Sequence, residues 1–137
     1  MSSNTKPIGV AFEDQDIIGS NFVRAERLLG FVSEGQSSVT QLTSKATGVT
    51  VNTPSAQITM NNAALLNATT VQFTLTNPAI KATDHILVSH ASGGTAGAYN
   101  VWANTVTAGS CAIQVRNITA GSLSEAIVLN VAVLCGG

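Results

Sequence analysis

The chain has 137 residues and is nearly neutral, with six Lys or Arg against seven Asp or Glu, and 9% of its residues are charged where about a quarter is usual. This balance excludes a broad basic field for nucleic acid or anionic lipid, and it does little to keep copies of the protein apart. Four Phe, one Tyr and one Trp are also few for the aromatic platforms on which single-stranded nucleic acids stack.

The charged residues are concentrated towards the N-terminus. Most of them precede Ala46, and the rest of the chain is rich in Thr, Ser, Asn, Ala and Val. The charged residues that follow Ala46 are Lys81, Asp84, Arg116 and Glu125. We interpret residues 1–36 as an extended N-terminal arm that reaches a partner, and residues 37–137 as one β-rich domain.

Neither a membrane span nor a secretory signal is expected from the sequence. No run of apolar residues is long enough to cross a bilayer, and residues 1–7 lack the apolar core of a signal peptide. We therefore expect synthesis in the cytoplasm. Cys111 and Cys135 each lie in an apolar alternating run, which predicts two free buried thiols; a bridge between the last two strands is the alternative.

Two elements are predicted within the arm. Residues 8–12 could form a short strand, which the acidic residues 13–16 would end. Residues 21–29 have helical character, and Gly30 is suited to end that helix. The apolar residues on one face of the helix are Phe22, Ala25 and Leu28 or Leu29. A helix this short is marginal alone, so contact with a neighbouring subunit would stabilise it.

From Ser37 onwards the pattern changes to short strands separated by Gly, Pro and Asn turns. The predicted strands are residues 39–43, 49–51, 57–60, 70–76, 85–90, 99–106, 111–116 and 127–134. The clearest is 70–76, in which Val71, Phe73 and Leu75 alternate with polar residues, as in a strand buried on one face. The number and spacing of the strands predict an all-β fold, an antiparallel β-sandwich or jelly roll of about eight strands.

Two of these strands carry candidate contact residues. The last strand has one fully apolar side, and its other side is still mostly apolar, so the arm or another subunit should cover it. Trp102 alternates out of phase with the apolar residues around it. It fills a gap at the edge of the sandwich, is itself a core residue, or anchors a subunit contact. The residues predicted for self-association are Trp102, Val128, Ala132 and Leu134.

The sequence offers no convincing catalytic or metal site, so we expect neither an enzyme nor a cofactor. His85 and His90 point to opposite faces of one strand and cannot bind one metal ion together. Asp84 and His85 face apart as strand neighbours, unlike members of a catalytic triad. Residues 13–16 lack the EF-hand pattern. The Gly-rich loop 92–97 lacks the Lys of a P-loop, and it is predicted as a flexible hairpin connection.

Several stretches of the chain carry a family resemblance. They are residues 39–54, 57–65, 73–77, 92–99 and 116–126. Their order, over residues 38–135, is similar to that of a β-rich module in the virion proteins of tailed bacteriophages. Such modules occur in head-decoration (cement) proteins and at the ends of fibre proteins. The resemblance implies a sandwich or jelly-roll fold, self-association and a place on the outside of a virion, and it brings no catalytic residue.

The leading hypothesis is a phage structural protein that decorates and stabilises the capsid exterior. It would be made in the host cytoplasm and would lie on the virion surface, because the chain is short for a fibre with a shaft or anchor. Its partners would be the major capsid protein and itself, as a homotrimer or homodimer, without nucleic acid or membrane. The arm residues predicted to contact the shell are Ile8, Phe12, Asp14, Asp16, Ile17, Ile18, Phe22, Arg24, Arg27 and Leu28.

Two other functions remain open. One is a fibre or spike tip that binds a receptor on the host surface. The other is a small phage enzyme whose site the sequence does not reveal. Binding to capsids would favour decoration, binding to host cells would favour the fibre tip, and turnover of polysaccharide or peptide would favour the enzyme.

Overall fold

The computed structural model of the chain describes residues 30–31 and 33–137. The arm residues predicted to contact the shell, from Ile8 to Leu28, lie outside the described residues. The predicted arm helix over residues 21–29 lies outside them as well. The fold below therefore concerns the β-rich domain and the few residues that lead into it.

The described residues form two sheets of four strands each. After a 3-10 turn at Ser33–Gly35, the strands are β1 (Gln36–Thr40), β2 (Val49–Thr50), β3 (Ser55–Thr59), β4 (Thr70–Thr76), β5 (His85–Ser92), β6 (Tyr99–Thr107), β7 (Ser110–Asn117) and β8 (Val128–Leu134). Sheet A has the order β1-β3-β8-β5, and sheet B has the order β2-β4-β7-β6. The prediction of an all-β sandwich of about eight strands is confirmed.

The first two strands pair differently from the rest. In sheet A, β8 pairs in antiparallel fashion with β3 and β5, and in sheet B, β7 pairs in the same way with β4 and β6. In contrast, β1 pairs in parallel with β3, and β2 pairs in parallel with β4. Parallel pairing needs a crossover connection, and the chain supplies one because β1, β2 and β3 alternate between the two sheets. Each sheet thus has a parallel strand at one edge.

The core lies between the two sheets and follows the alternation seen in the sequence. In β4, Phe73 and Leu75 are buried, and they pair across the ladder with Ile113 and Cys111 of β7. From the other sheet, the inward-facing residues of β3 and β8 complete this core. They are Ala56, Ile58, Leu129, Val131 and Val133. The period of two therefore selects the buried face correctly in both sheets.

The first strand is shifted from its predicted place because of a buried glutamine. The sequence predicts a strand over residues 39–43, whereas β1 ends at Thr40. The side chain of Gln41 turns inward, and its amide donates to the carbonyls of Lys45 (3.1 Å) and Thr47 (2.8 Å). Its Oε1 accepts from the backbone N–H of Asn61. These bonds fold the chain into a loop directly after Thr40.

Lys45 is buried in the packed domain, although it belongs to the charged N-terminal third of the sequence. It is 3% exposed, and its Nζ donates to the backbone carbonyls of Asn61 and, at 2.5 Å, Glu125. Burial lowers the pKa of Lys45, and the Glu125 carboxylate acts in the opposite direction. One of the charges that mark the N-terminal third of the sequence thus serves to join the β1–β2 loop to the start of β8.

Candidate interaction surfaces

The outer face of sheet A carries no Asp, Glu, Lys or Arg on its strands. Its outward-facing residues are Gln36, Ser38, Thr40, Ser55, Gln57, Thr59, His85, Leu87, Ser89, Ala91, Val128, Asn130, Ala132 and Leu134. A sheet face that meets water usually mixes both signs of charge. This face has no charge with which to repel a second copy, and none with which to attract a charged partner.

Large apolar side chains are exposed near one end of this face. Leu87 is 54% exposed and Leu134 is 47% exposed. Leu87 pairs directly with Ala132 across the β5–β8 ladder, and His85 pairs with Leu134, so the three apolar residues are neighbours. Adjacent exposed apolar side chains of this kind mark interaction surfaces in soluble proteins.

The same face is concave. A shallow cavity of about 530 Å³ crosses all four strands, and it is lined by Gln36, Ser55, Gln57, Leu87 and Ala132 among others. At its centre, Gln57 Nε2 donates to Asn130 Oδ1 at 3.0 Å. The amide pair fixes the orientation of both side chains, so the floor of the cavity presents a neutral polar strip beside the apolar residues.

The structure divides the residues predicted for self-association. Val128, Ala132 and Leu134 share the outer face of sheet A, as the alternation of the last strand predicts. Trp102 lies on β6, in sheet B, and faces outward on the opposite side of the sandwich. These residues therefore cannot form one continuous patch. Sequence analysis missed Leu87, because its place beside Ala132 follows from the pairing of β5 with β8 and not from any local pattern.

The outer face of sheet B is polar around a single large aromatic residue. Trp102 is 39% exposed and pairs across the ladder with Gln114, whose Nε2 donates to the Oε1 of Gln72. On the same side of β6 lie Asn100 and Asn104. An indole surrounded by amide groups can contact an apolar surface while the amides donate and accept hydrogen bonds around it.

Glu125, in the β7–β8 loop, holds the β5–β6 loop and the first residue of β6 at the end of the sandwich opposite Leu87. Its carboxylate accepts from the backbone N–H of Thr95 (2.9 Å), from Thr95 Oγ1 (2.6 Å) and from the hydroxyl of Tyr99 (2.7 Å). These hydrogen bonds lower the pKa of Glu125. Burial and the adjacent carboxylate raise the pKa of Tyr99. Three hydrogen-bond donors thus hold the carboxylate in place.

The Gly-rich loop 92–97 is anchored through the same carboxylate. The prediction of a flexible hairpin connection is wrong here, because β5 and β6 belong to different sheets and the loop crosses between them. Two hydrogen bonds fix Thr95 of this loop to Glu125. His90 faces Tyr99 edge-on, with ring centroids 5.7 Å apart, and His85 lies on the other face of β5. The two histidines are therefore separated, as their spacing predicts.

The two cysteines are free thiols in different surroundings. Cys111 is buried in β7, and burial raises the pKa of its thiol to about 11. Cys135 is exposed, so the prediction that it is buried is wrong. The reason is that β8 ends at Leu134, and Cys135 lies just beyond the last strand.

Among residues 30–31 and 33–137, no group of three or more His, Cys, Asp or Glu side chains is placed to hold a metal ion. In the same part of the chain, no helix has the length and apolar character needed to cross a membrane.

Comparison of the chain with protein-family models, with characterised proteins and with solved structures found no match.

Proposed function

We propose that the protein is a non-enzymatic structural component of a tailed-phage virion that decorates and stabilises the outside of the capsid. In this proposal the β-sandwich contacts other copies of itself, and the N-terminal arm contacts the major capsid protein. The resemblance of residues 38–135 to phage virion modules suggests the location on a virion. The surface of the sandwich suggests the role in self-association.

The observation that carries the proposal is the uncharged outer face of sheet A, with Leu87 and Leu134 about half exposed. Burying apolar surface contributes roughly 25 cal/mol per Å². Because the face has no formal charge, two copies can approach without repulsion and without breaking the hydration shells of ions. Several such contacts around a shell would resist outward pressure together, since all of them must fail before the layer opens.

The arm supplies the other half of the proposal. Residues 1–36 combine acidic and basic side chains with scattered Ile, Phe and Leu. Apolar residues such as Ile17 and Phe22 would give affinity for a shell protein, and charges such as Asp14 and Arg24 would give specificity. The described core is formed by residues from Val49 to Val133, with Val39 packed against it.

Cosedimentation with DNA-filled heads that lack the protein tests this function. The full chain should bind the heads, and a variant lacking residues 1–29 should lose binding while it keeps its melting temperature and its ability to self-associate. A double variant, Leu87→Asp with Leu134→Asp, should still bind single sites through the arm but should lose cooperative filling of the shell. Failure of the full chain to bind any such heads would overturn the proposal.

A second candidate is a fibre or spike tip that binds a host-surface receptor, and the outer face of sheet B favours it. Trp102 with Gln114, Asn100 and Asn104 offers an aromatic surface bordered by amides, which suits a neutral polar ligand such as a glycan. Trp102→Ala should abolish binding to host cells if this function is correct. The same variant should bind phage heads like the wild type if decoration is correct.

A further inference from the structure

The two outer faces of the sandwich share the same chemistry, although they lie on opposite sides of the molecule. On sheet A, the exposed Leu87 lies in a cavity whose floor carries the amide pair of Gln57 and Asn130. On sheet B, the partly exposed Trp102 pairs with Gln114, which is itself bonded to another amide. Each face thus combines an apolar side chain with neutral groups that both donate and accept hydrogen bonds.

The concave shape of sheet A decides which surface fits it. Two copies joined through sheet A alone would set one cavity of about 530 Å³ against another, and much of the lining would lack contact atoms. The occupant should therefore bring a bulky side chain into the cavity. Among the described residues, the large apolar side chains exposed outside sheet A are Phe31, Leu42, Leu66, Trp102 and Ile118. Of these five described residues, only Trp102 belongs to a strand, so it is the one that a sheet face presents.

The edges of the sandwich are less suited to self-association than its faces. The edge strands β5 and β6 each contain an irregularity, with register shifts between His90 and Ser92 and between Asn104 and Thr107. In the second of these, Thr105 has a φ of 48°, a left-handed conformation that β-branched residues rarely adopt. Such bulges bend an edge strand and disfavour its pairing with another chain. Copies are therefore expected to meet through the faces of the sheets.

We propose that the protein associates head to tail, with the outer face of sheet B of one copy seated on the concave outer face of sheet A of the next. The indole of Trp102 would contact Leu87 and Ala132, and amides of both faces would exchange hydrogen bonds around it. Within the described strands of sheet B, Arg116 is the charged residue. It follows Gln114 on the same face towards the end of β7, where it can stay in water at the rim of the contact.

This contact rests on the proposed self-association and names the surface that occupies sheet A. It is heterologous, since each copy uses two different surfaces, so a copy that has bound one neighbour can still bind another and assembly does not stop at a dimer. The four strands of sheet A span about 14 Å and β8 is about 24 Å long, so the face is smaller than the roughly 800 Å² per partner of a standard interface. The contact is therefore weak in dilute solution and favoured where a shell holds copies side by side.

Complementation between two variants of the full chain tests the head-to-tail contact. Trp102→Ala removes the occupant and leaves sheet A intact, whereas Leu87→Asp places a charge in the cavity and leaves Trp102 intact. In sedimentation velocity at high protein concentration, the wild type should form species larger than a dimer. Each variant alone should associate at least about tenfold more weakly. An equimolar mixture of the two should form a 1:1 dimer and nothing larger, because each mixed pair keeps one intact contact.

Two further variants complete the experiment. Leu66→Asp is the matched control, since Leu66 is 60% exposed on the β3–β4 loop, outside both faces, and this variant should assemble like the wild type. Gln57→Glu places a charge in the same cavity with little change of shape, and it should act like Leu87→Asp. The melting temperature of each variant verifies that it is folded.

Three outcomes would overturn the proposal. One is a Trp102→Ala variant that associates like the wild type, because sheet A would then bind itself. The others are a mixture that stays monomeric while the wild type assembles, and a wild type that stays monomeric or stops at a dimer. None of these measurements uses phage heads, so failure here is distinct from failure to bind capsids. On heads, Trp102→Ala keeps the arm, so it should bind single sites like the wild type and lose only the contact between neighbours.

Discussion

Asn117 shows how single polar residues hold the loops of this sandwich. It is fully buried at the end of β7, and its side-chain amide donates to the carbonyls of Leu65 (3.0 Å) and Gly121 (2.8 Å). Its Oδ1 accepts from the backbone N–H and the hydroxyl of Thr119. All hydrogen-bonding positions of the amide are therefore used, and they connect the loop before β4 with the loop after β7.

Asn117→Ala should lower the free energy of unfolding by about 2–3 kcal/mol, because buried carbonyl and N–H groups lose their partners. Urea denaturation at neutral pH measures this change. Asn67→Ala is the matched control, since Asn67 stands in the same Asn-X-Thr sequence context but is exposed, and its effect should stay within about 0.5 kcal/mol. Equal losses in the two variants would contradict the role given to Asn117.

At the scale of elements, the connection between β5 and β6 is tightly constrained by its glycines. Gly93 and Gly94 both have positive φ, at 73° and 67°. A Cβ on Gly94 would lie 2.6 Å from Ile127 Cγ2 and 2.7 Å from Glu125 Oε2. The loop therefore packs directly against the start of β8, and it joins the two sheets at this edge of the sandwich.

Gly94→Ala should cost about 2–4 kcal/mol of unfolding free energy, because left-handed strain adds to overlap with packed neighbours. Gly97→Ala is the matched control. It has a similar φ of 74°, but no atom lies within 4 Å of its Cβ position, so strain alone should cost about 1 kcal/mol. Thermal or urea unfolding of both variants compares them, and a loss in Gly97→Ala as large as that in Gly94→Ala would refute the packing argument.

At the scale of the whole molecule, a few carboxylates hold distant parts of the chain together. Asp84 accepts from the backbone N–H groups of Gly136 (3.0 Å) and Lys81 (2.9 Å), which lower its pKa and fix the C-terminal residues beside β5. Glu125 binds the Gly-rich loop in the same way. With so few charges in the domain, these two groups should dominate its response to acid.

A carboxylate whose pKa is lower in the folded state contributes stability that is present above its unfolded pKa and is lost as the pH falls through its folded pKa. The unfolded values are about 3.9 for Asp and about 4.3 for Glu. Glu125→Gln should therefore be less stable than the wild type at pH 7, and the difference should shrink below about pH 4. Urea denaturation from pH 7 to pH 2.5 measures it; a difference that is constant with pH would contradict this assignment.

Which residues share an outer surface of the sandwich is also decided only by the whole molecule. Leu87 and Leu134 belong to strands that are far apart in sequence, yet the β5–β8 pairing places them on one concave face. Trp102 belongs to the other sheet and faces away from them. The molecule thus has two distinct outer faces, one uncharged and partly apolar, the other rich in amides around an indole.

The sequence by itself determined the number of strands, most of their positions and the side of each that is buried. It could do so because the period of two is a local property: Phe73 and Leu75 reveal the buried face of β4 without any knowledge of its neighbours. The same local pattern correctly identified the outward-facing apolar residues Val128, Ala132 and Leu134 on the last strand.

Only the tertiary structure decided which strands are neighbours, and with them the parallel edge pairs, the place of Leu87 beside Ala132 and the separation of Trp102 from the other predicted contact residues. Only the tertiary structure shows, in addition, that Lys45 is buried and that Glu125 anchors the 92–97 loop. The physical reason is that these features depend on the paths of the loops between the sheets, and those paths are set by hydrogen bonds between residues far apart in the chain.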